Sequence, residues 1–267
     1  MNHPIIIAAF GSTSRARNTY DKVHSRLETI FPDHDIHWAY SSRIVRHKMK
    51  HKAAPLPSPR KVMENLAARG HAWAVVQSFN MICGHEFHRL REDVLEGPLR
   101  VSIGHSLLCG PDDFEAVAVS LSYLFEKDEE EAVVLAGHGT DHCAWTAYPV
   151  MEHYLRKRYG IRAFFSVIEG EWQNMETVVN MVSEAGFKKV RLAPFMLVAG
   201  VHFEEDLAGG DGSYKAAFEK KGIHVSMETE GQGTRDDIID LFAGHIKEAM
   251  DVIPCRLTGS RAEHGGN

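Results

Sequence analysis

The chain has 267 residues, of which 44% are hydrophobic, enough apolar material for the core of one large domain or two smaller ones. The formal net charge of −6 gives no general attraction to nucleic acid or to an anionic membrane, so an acidic partner would have to meet a local basic patch. The four cysteines are widely spaced without a C-x-x-C pair, which argues against an iron–sulfur centre, a zinc ribbon or a dense disulfide framework.

The first predicted strand runs from Ile5 to Phe10, close to the start of the chain. The residues before it leave no room for a secretory leader, and no apolar run approaches the roughly 20 residues that span a bilayer. We therefore expect a soluble, cytoplasmic protein with no membrane partner.

Short apolar runs alternate with helical patterns along the rest of the chain. After the first strand they cover residues 15–30, 36–41, 59–69 and 73–79. The same alternation begins again after the acidic stretch 126–131, at residues 132–136, 148–158, 162–168, 175–185 and 190–198. This alternation predicts an α/β fold with parallel sheets flanked by helices. We expect two similar halves, residues 1–127 and 128–257, followed by a polar, disordered tail over residues 258–267.

The two halves carry weakly similar sequences. Residues 9–13 (AFGST) and 137–140 (GHGT) each follow the first strand of their half, and residues 77–87 parallel residues 193–203. A duplicated βαβ unit explains both similarities, and it places Glu86 and His202 at equivalent positions. Ligands of open parallel sheets bind beyond the carboxyl ends of the strands, so both halves should face one cleft.

His138, Glu169 and His202 follow three different predicted strands of the C-terminal half, so they could converge on one point. Two imidazoles and a carboxylate suit divalent ions such as cobalt, iron, nickel or zinc, and they leave coordination positions open. The alternative is that these are hydrogen-bonded loop residues, since the chain has seventeen histidines. Gly137 and Gly139 favour the metal-ligand interpretation, because flanking glycines would let the backbone turn sharply and let a bulky substrate approach.

The sequence lacks the motifs of several other enzyme classes. His142 follows His138 at the i, i+4 spacing of a zinc peptidase, but Gly139 stands where that motif has glutamate. Neither a G-x-S-x-G elbow nor a G-x-x-x-x-G-K-[ST] loop occurs in the sequence, so hydrolase and nucleotidase functions lose support.

The most basic stretch begins at Arg43 and Arg46 and continues to Lys61. It either forms an ordinary solvated helix face or binds the carboxylates of a polyacidic substrate. The sequence alone leaves both interpretations open.

Several motifs resemble those of the anaerobic sirohydrochlorin cobaltochelatases, over nearly the whole chain up to about Ile246. The segment from Pro194 to His202 is the most specific of them. The others are residues 10–13 (FGST), 77–78 (QS), 84–87 (GHEF), 137–140 (GHGT) and 167–169 (VIE). The resemblance implies the class II chelatase fold, in which two Rossmann-like halves hold a macrocycle in the cleft between them.

The resemblance also implies a site and a reaction. His138, Glu169 and His202 would bind the metal, and Glu86 would reach the cleft from the opposite half. Glu171 is the alternative carboxylate, because it lies two residues further along an extended strand and would point to the same side. The reaction would be insertion of Co²⁺ into sirohydrochlorin for anaerobic cobalamin biosynthesis, with a histidine or Glu86 accepting pyrrole protons.

We expect no cofactor beyond the substrate metal, which could also be Fe²⁺, and no nucleic-acid partner; a homo-oligomer is left open. Some relatives have histidine at the position of Asn80, and periplasmic forms have been linked with haem, so asparagine here argues against haem binding. Two alternative functions stand beside cobalt insertion: an iron chelatase of sirohaem synthesis, and a non-catalytic carrier of tetrapyrrole or metal. Contacts to the substrate are assigned to Phe10, Ser12, Arg43, Arg46 and Gly139.

Overall fold

The computed structural model describes residues 3–11, 16–42, 45–47, 56–170 and 172–251, with the backbone alone for residues 16–17 and 201–204. The predicted tail, residues 258–267, lies outside these ranges. Within them, no helix combines the length and the apolar composition that crossing a bilayer requires.

The N-terminal half contains a four-stranded parallel sheet. Its strands are β1 (Ile5–Ala9), β2 (Ile36–Tyr40), β3 (Trp73–Phe79) and β4 (Arg100–Gly104), in the order β2-β1-β3-β4. Its helices are α1 (Ala16–Ile30), α2 (Pro59–Ala68), α3 (His85–Leu95) and α4 (Pro111–Ser120).

The C-terminal half repeats this arrangement. Its parallel strands are β5 (Glu131–Gly139), β6 (Ala163–Glu169), β7 (Lys189–Phe195) and β8 (His224–Met227), in the order β6-β5-β7-β8. Its helices are α5 (Ala147–Tyr159), α6 (Met175–Glu184), α7 (Val201–Ala208), α8 (Tyr214–Lys220) and α9 (Asp236–Asp251). The two sheets have the same strand order, which confirms the predicted α/β fold and its duplicated βαβ unit.

The central strands are buried on both faces. On β1, Ile5 and Ile7 pack on one side of the sheet and Ile6 packs on the other. On β5, Val133 and Val134 divide in the same way. Strands covered on both faces have continuous apolar sequences, which is why the sequence predicted them well. The cluster around Ile5 and Ile7 also contains Val133, so one apolar core joins the two sheets.

The last helix of each half packs on the opposite half. Helix α9 lies against β3 and β4, and Ser102 Oγ donates a hydrogen bond to the Ala249 carbonyl at 2.6 Å. Helix α4 contacts α5, where the rings of Phe114 and Tyr154 stack. The sheets lie on either side of the predicted boundary between residues 127 and 128, whereas these helices cross it. The division into two separate domains therefore stays a prediction.

Polar caps fix where two of the helices begin. Ser58 Oγ accepts a hydrogen bond from the Lys61 N–H at 3.2 Å, and Pro59 is the first residue of α2. Asn174 Oδ1 accepts a hydrogen bond from the Thr177 N–H at 3.0 Å at the start of α6. Each cap satisfies a backbone donor that has no partner within the helix.

Candidate metal centre and substrate cleft

His138 and Glu169 meet at the carboxyl edge of the C-terminal sheet. His138 is the penultimate residue of β5, and Glu169 is the last residue of β6. Parallel pairing sets Gly139 opposite Glu169, and His138 Nδ1 lies 3.6 Å from Glu169 Oε2. The two side chains are 63% and 68% exposed, so both are open to a ligand from solvent. This pair of donors can bind one cation together.

The glycines around His138 are required by the packing of the protein itself. Gly139 has a φ of +89°, and a Cβ there would overlap the carbonyl oxygen of Glu169. A Cβ on Gly137 would lie 2.9 Å from the ring of Tyr148. The argument that these glycines indicate a ligand is therefore wrong, because β6 and α5 already exclude a side chain at both positions. A substrate contact at Gly139 stays a prediction.

Tyr148 holds the turn that follows β5. Its hydroxyl oxygen accepts a hydrogen bond from the Gly139 N–H at 3.2 Å. Burial raises the pKa of Tyr148 to about 12, and the negative charge of Glu169 adds to the increase. The N-terminal half has an equivalent pair, in which Tyr20 is hydrogen-bonded to the backbone of Gly11. Gly11 has a φ of +98°, close to that of Gly139.

The internal duplication also shows where the halves differ. Phe10 precedes Gly11 as His138 precedes Gly139, so the N-terminal half has an aromatic ring where the C-terminal half has an imidazole. Phe10 is 48% exposed, which is unusual for a large apolar side chain. Of the two equivalent positions, only the C-terminal one therefore offers a metal ligand.

His202 occupies the place that the internal alignment predicts. It is the second residue of α7, just as Glu86 is the second residue of α3, and each helix begins after a glycine, Gly200 or Gly84. Both residues thus lie in the first turn of a helix that follows the third strand of its sheet. The side chain of His202 is outside the described part of the chain, so its approach to the other two predicted ligands stays a prediction.

The choice of Glu171 as the alternative carboxylate ligand assumed an extended strand that continues past Glu169. That premise is wrong, since β6 ends at Glu169 and Gly170 follows with a φ of +105°. Glu171 itself lies outside the described residues.

Two donors fix the carboxylate of Glu86. Ser41 Oγ donates a hydrogen bond to Oε2 at 2.7 Å, and the Arg89 guanidinium donates one to Oε1 at 2.6 Å. Ser41 directly follows β2, so Glu86 lies at the carboxyl edge of the N-terminal sheet. Its side chain is 24% exposed, so part of the carboxylate is open to solvent.

Three histidines that the sequence analysis assigned to no site meet where the two halves touch. His85 Nε2 lies 2.7 Å from Asp141 Oδ1, and this hydrogen bond lowers the pKa of Asp141. The ring centroid of His142 lies 4.9 Å from that of His85 and 4.8 Å from that of His88. His142 precedes a short 3₁₀ helix instead of sharing an α-helix with His138, so the zinc-peptidase spacing has no structural counterpart. These contacts bring the carboxyl edges of the two sheets together.

Comparison with known proteins identifies the family. The model of the family described as cobalt chelatase (CbiK) matches residues 3–251. The chain belongs to this family. The resemblance inferred from the sequence motifs is therefore confirmed, and the chain is a chelatase.

Named relatives of this cobalt chelatase cover almost its whole length. It is 27% identical over 263 residues to the sirohydrochlorin cobaltochelatase of Salmonella typhimurium, covering 94% of this chain and 98% of the relative. It is 28% identical over 258 residues to the sirohydrochlorin cobaltochelatase CbiKC of Nitratidesulfovibrio vulgaris, covering 93% and 91%. The structure of SirB from Bacillus subtilis with Fe³⁺ has a TM-score of 0.67 at 14% identity, covering 93% of this chain and 96% of SirB, which supports the fold.

The structure describes only some of the residues that are predicted to contact the substrate of this cobalt chelatase. Phe10 is exposed beyond the end of β1. Arg46 Nε is buried and has no hydrogen-bond partner among the described residues. Ser12 and Arg43 lie outside the described residues, so their contacts stay predictions.

Proposed function

We propose that this cobalt chelatase inserts Co²⁺ into sirohydrochlorin, the reaction for which its relatives are named. The observation that carries the proposal is the 3.6 Å approach of His138 Nδ1 to Glu169 Oε2 on two neighbouring strand ends. A neutral imidazole beside a carboxylate is a donor set that suits a borderline divalent cation.

His138, Glu169 and His202 bind the incoming ion in this proposal. Three protein ligands leave coordination positions for water and then for the ring nitrogens. The exposure of His138 and Glu169 supports this role, because a macrocycle must reach the ion while the protein still holds it. The third ligand comes from the first turn of α7, beside the end of the neighbouring strand β7.

Insertion also requires the removal of both pyrrole protons from the free ring. An imidazole of the metal site could accept one of them on the nitrogen that becomes free when the ion passes to the ring, and Glu86 would accept the other from the opposite half. The hydrogen bonds from Ser41 and Arg89 hold the Glu86 carboxylate in one orientation. This arrangement assigns metal binding to the C-terminal half and proton removal in part to the N-terminal half.

The side-chain carboxylates of sirohydrochlorin need cationic partners. Arg46 is a suitable one, because its Nε–H has no partner among the described residues and would form a charge-assisted hydrogen bond once the side chain turns outwards. In the proposal Arg43 and Ser12 lie on the same side of the substrate, Gly139 lies next to the ring, and Phe10 packs against the ring face.

Substitution of His138 tests the metal site. His138→Ala should lower the rate of Co²⁺ insertion by at least about 100-fold, since loss of even a residue that only supports a ligand costs about 10–100-fold. The assay follows the absorbance of sirohydrochlorin under anaerobic conditions. His153→Ala, which removes an exposed histidine on α5, is the matched control and should keep the wild-type rate. A folded His138→Ala variant with a near-normal rate would contradict the assignment.

Substitution of Glu86 separates proton removal from metal binding. Glu86→Gln should bind Co²⁺ as tightly as wild type in calorimetry without tetrapyrrole, while insertion slows by about 10²–10⁴-fold. Loss of Co²⁺ affinity instead would make Glu86 a metal ligand and overturn its proposed role.

Two further measurements distinguish the alternative functions. Product that accumulates beyond one equivalent of protein supports an enzyme, whereas a carrier stops at stoichiometric binding. Competition between Co²⁺ and Fe²⁺ under anaerobic conditions should favour cobalt; preferential insertion of iron would indicate the sirohaem reaction. Size-exclusion chromatography would show whether the chain forms a homo-oligomer.

A further inference from the structure

Two cysteines and a histidine come together at the carboxyl edge of the N-terminal sheet. Cys83 follows β3, and His105 and Cys109 follow the neighbouring strand β4. Their two sulfur atoms and one ring nitrogen all lie within 4.8 Å of one another. His105 and Cys109 are exposed and Cys83 is half-buried, so an ion can reach them from solvent. Within the described ranges, only these side chains form such a group of three donors.

We propose that Cys83, His105 and Cys109 form a second metal site, which takes a tetrahedral divalent ion of the zinc and cobalt type. Two thiolates and an imidazole match the preference of such ions, and a fourth position remains for water or another ligand. Metal–sulfur bonds of about 2.3 Å place two tetrahedral sulfur ligands about 3.8 Å apart. The observed spacing therefore needs only small side-chain rotations to close around an ion. The inference goes beyond the proposed insertion reaction and does not depend on it.

The backbone holds the two cysteines next to each other. A parallel bridge pairs Ile82 with Leu108, the residues immediately before Cys83 and Cys109. The Leu108 N–H also donates a hydrogen bond to the Met81 carbonyl at 2.9 Å. Because neighbouring residues in parallel register project to the same side, this bridge fixes both sulfurs on one side of the loop pair.

Hydrogen bonds also fix the backbone of the segment from His105 to Cys109. The His105 carbonyl accepts hydrogen bonds from Gln77 Nε2 at 2.6 Å and from His245 Nδ1 at 3.2 Å. At the other end of the segment, the Cys109 N–H donates a hydrogen bond to Asp113 Oδ2 at 3.0 Å. Ligands whose backbone is already fixed lose less conformational entropy when an ion binds.

The surrounding charge also favours a cation. Burial, and then the neighbouring Cys83, raise the pKa of the Cys109 thiol to about 11, and the carboxylates of Asp113 and Glu248 add to this. Of these causes, the carboxylates of Asp113 and Glu248 would attract a divalent ion, whereas burial would not. Binding should therefore release protons as the thiols become thiolates.

Cobalt titration without tetrapyrrole tests the proposal. Metal-stripped, reduced protein is titrated with Co²⁺ under anaerobic conditions, and the near-ultraviolet thiolate-to-cobalt charge-transfer band is followed. Imidazole and carboxylate ligands give no such band, so it reports the cysteines alone. We expect the intensity of the saturated band to correspond to one thiolate-bound ion per chain, and we expect Cys83→Ser/Cys109→Ser to lose the band and to bind one ion fewer. His105→Ala should weaken this binding at least about 10-fold.

Cys143→Ser is the matched control. Cys143 is an exposed free cysteine whose Sγ lies 3.8 Å from His142 Nδ1, so it offers a competing thiol and imidazole. The band should survive in Cys143→Ser and also in His138→Ala, whatever the insertion activity of the latter. Loss of the band in Cys143→Ser, or its persistence in the double serine variant, would overturn the second site.

X-ray absorption of the wild-type protein loaded with Co²⁺ keeps the test valid if the serine variants fail to fold. Two sulfur scatterers at about 2.3 Å are expected for an ion bound by Cys83 and Cys109. A spectrum with only nitrogen and oxygen ligands would overturn the proposal. A Cys83–Cys109 disulfide in anaerobically purified protein, with no metal uptake after reduction, would overturn it too.

Discussion

Replacing Gly139 by alanine perturbs the contact that sets His138 beside Glu169. Gly139 has a φ of +89°, a conformation that costs an L residue about 1–2 kcal/mol. The added Cβ would also overlap the Glu169 carbonyl oxygen, and relief of such overpacking costs about 1–3 kcal/mol. Gly139→Ala should therefore lower the free energy of unfolding by about 2–5 kcal/mol, measured by urea titration.

Gly186→Ala is the matched control for this substitution. Gly186 has a similar φ of +85°, but a Cβ there would meet no atom within 4 Å. Its cost should be limited to the backbone contribution of about 1–2 kcal/mol. The difference between the two variants then isolates the overlap with Glu169.

The same pair of variants tests positioning in the site. The strain in Gly139→Ala falls on the backbone of Glu169, and displacement of a site residue by about 1 Å can slow a reaction on the order of 100-fold. Gly186→Ala should insert Co²⁺ at the wild-type rate. Equal losses of stability in the two variants, or wild-type insertion by folded Gly139→Ala, would refute the reasoning.

Two further predictions concern buried polar groups. Glu131→Ala should lower the free energy of unfolding by about 1.5–3 kcal/mol, because the mostly buried Arg191 guanidinium loses its hydrogen-bonded carboxylate at 2.8 Å and keeps only Glu228, at 2.9 Å. Glu115→Ala, at an exposed ion pair, should cost no more than about 1 kcal/mol in the same urea titration, and similar losses would count against the role of burial. Tyr148→Phe should reduce the loss of stability at alkaline pH. The folded-state pKa of Tyr148 is raised from 10.0 to about 12, so its contribution is complete below pH 10 and is lost as the pH rises towards 12. Unfolding free energies measured across this range should fall more steeply for wild type than for the variant; parallel slopes would exclude the contribution.

The central strands could be predicted closely from the sequence. The apolar runs expected at residues 5–10 and 73–79 correspond to β1 and β3, because strands buried on both faces leave a continuous apolar signal. The exchange of α4 and α9 between the halves could not be predicted in this way. Apolar periodicity shows that a helix covers a sheet, but it does not show which sheet.

The candidate site was predictable where it depends on strand ends. His138 and Glu169 lie at the carboxyl ends of the first and second strands of one half, and parallel pairing brings such ends together. The argument from Gly137 and Gly139 failed because a glycine required by internal packing looks the same in sequence as one that admits a ligand. The approach of Cys83 to Cys109 was missed because the sequence does not reveal the register between the segments that follow β3 and β4.

A crystal structure of the protein loaded with Co²⁺, with anomalous scattering recorded at the cobalt edge, tests the central claim most directly. We predict an ion with nitrogen and oxygen ligands at about 2.0–2.2 Å, supplied by His138, Glu169 and His202. A cobalt-loaded crystal with no ion at these residues, and with the three side chains turned away from one another, would contradict the proposed metal centre.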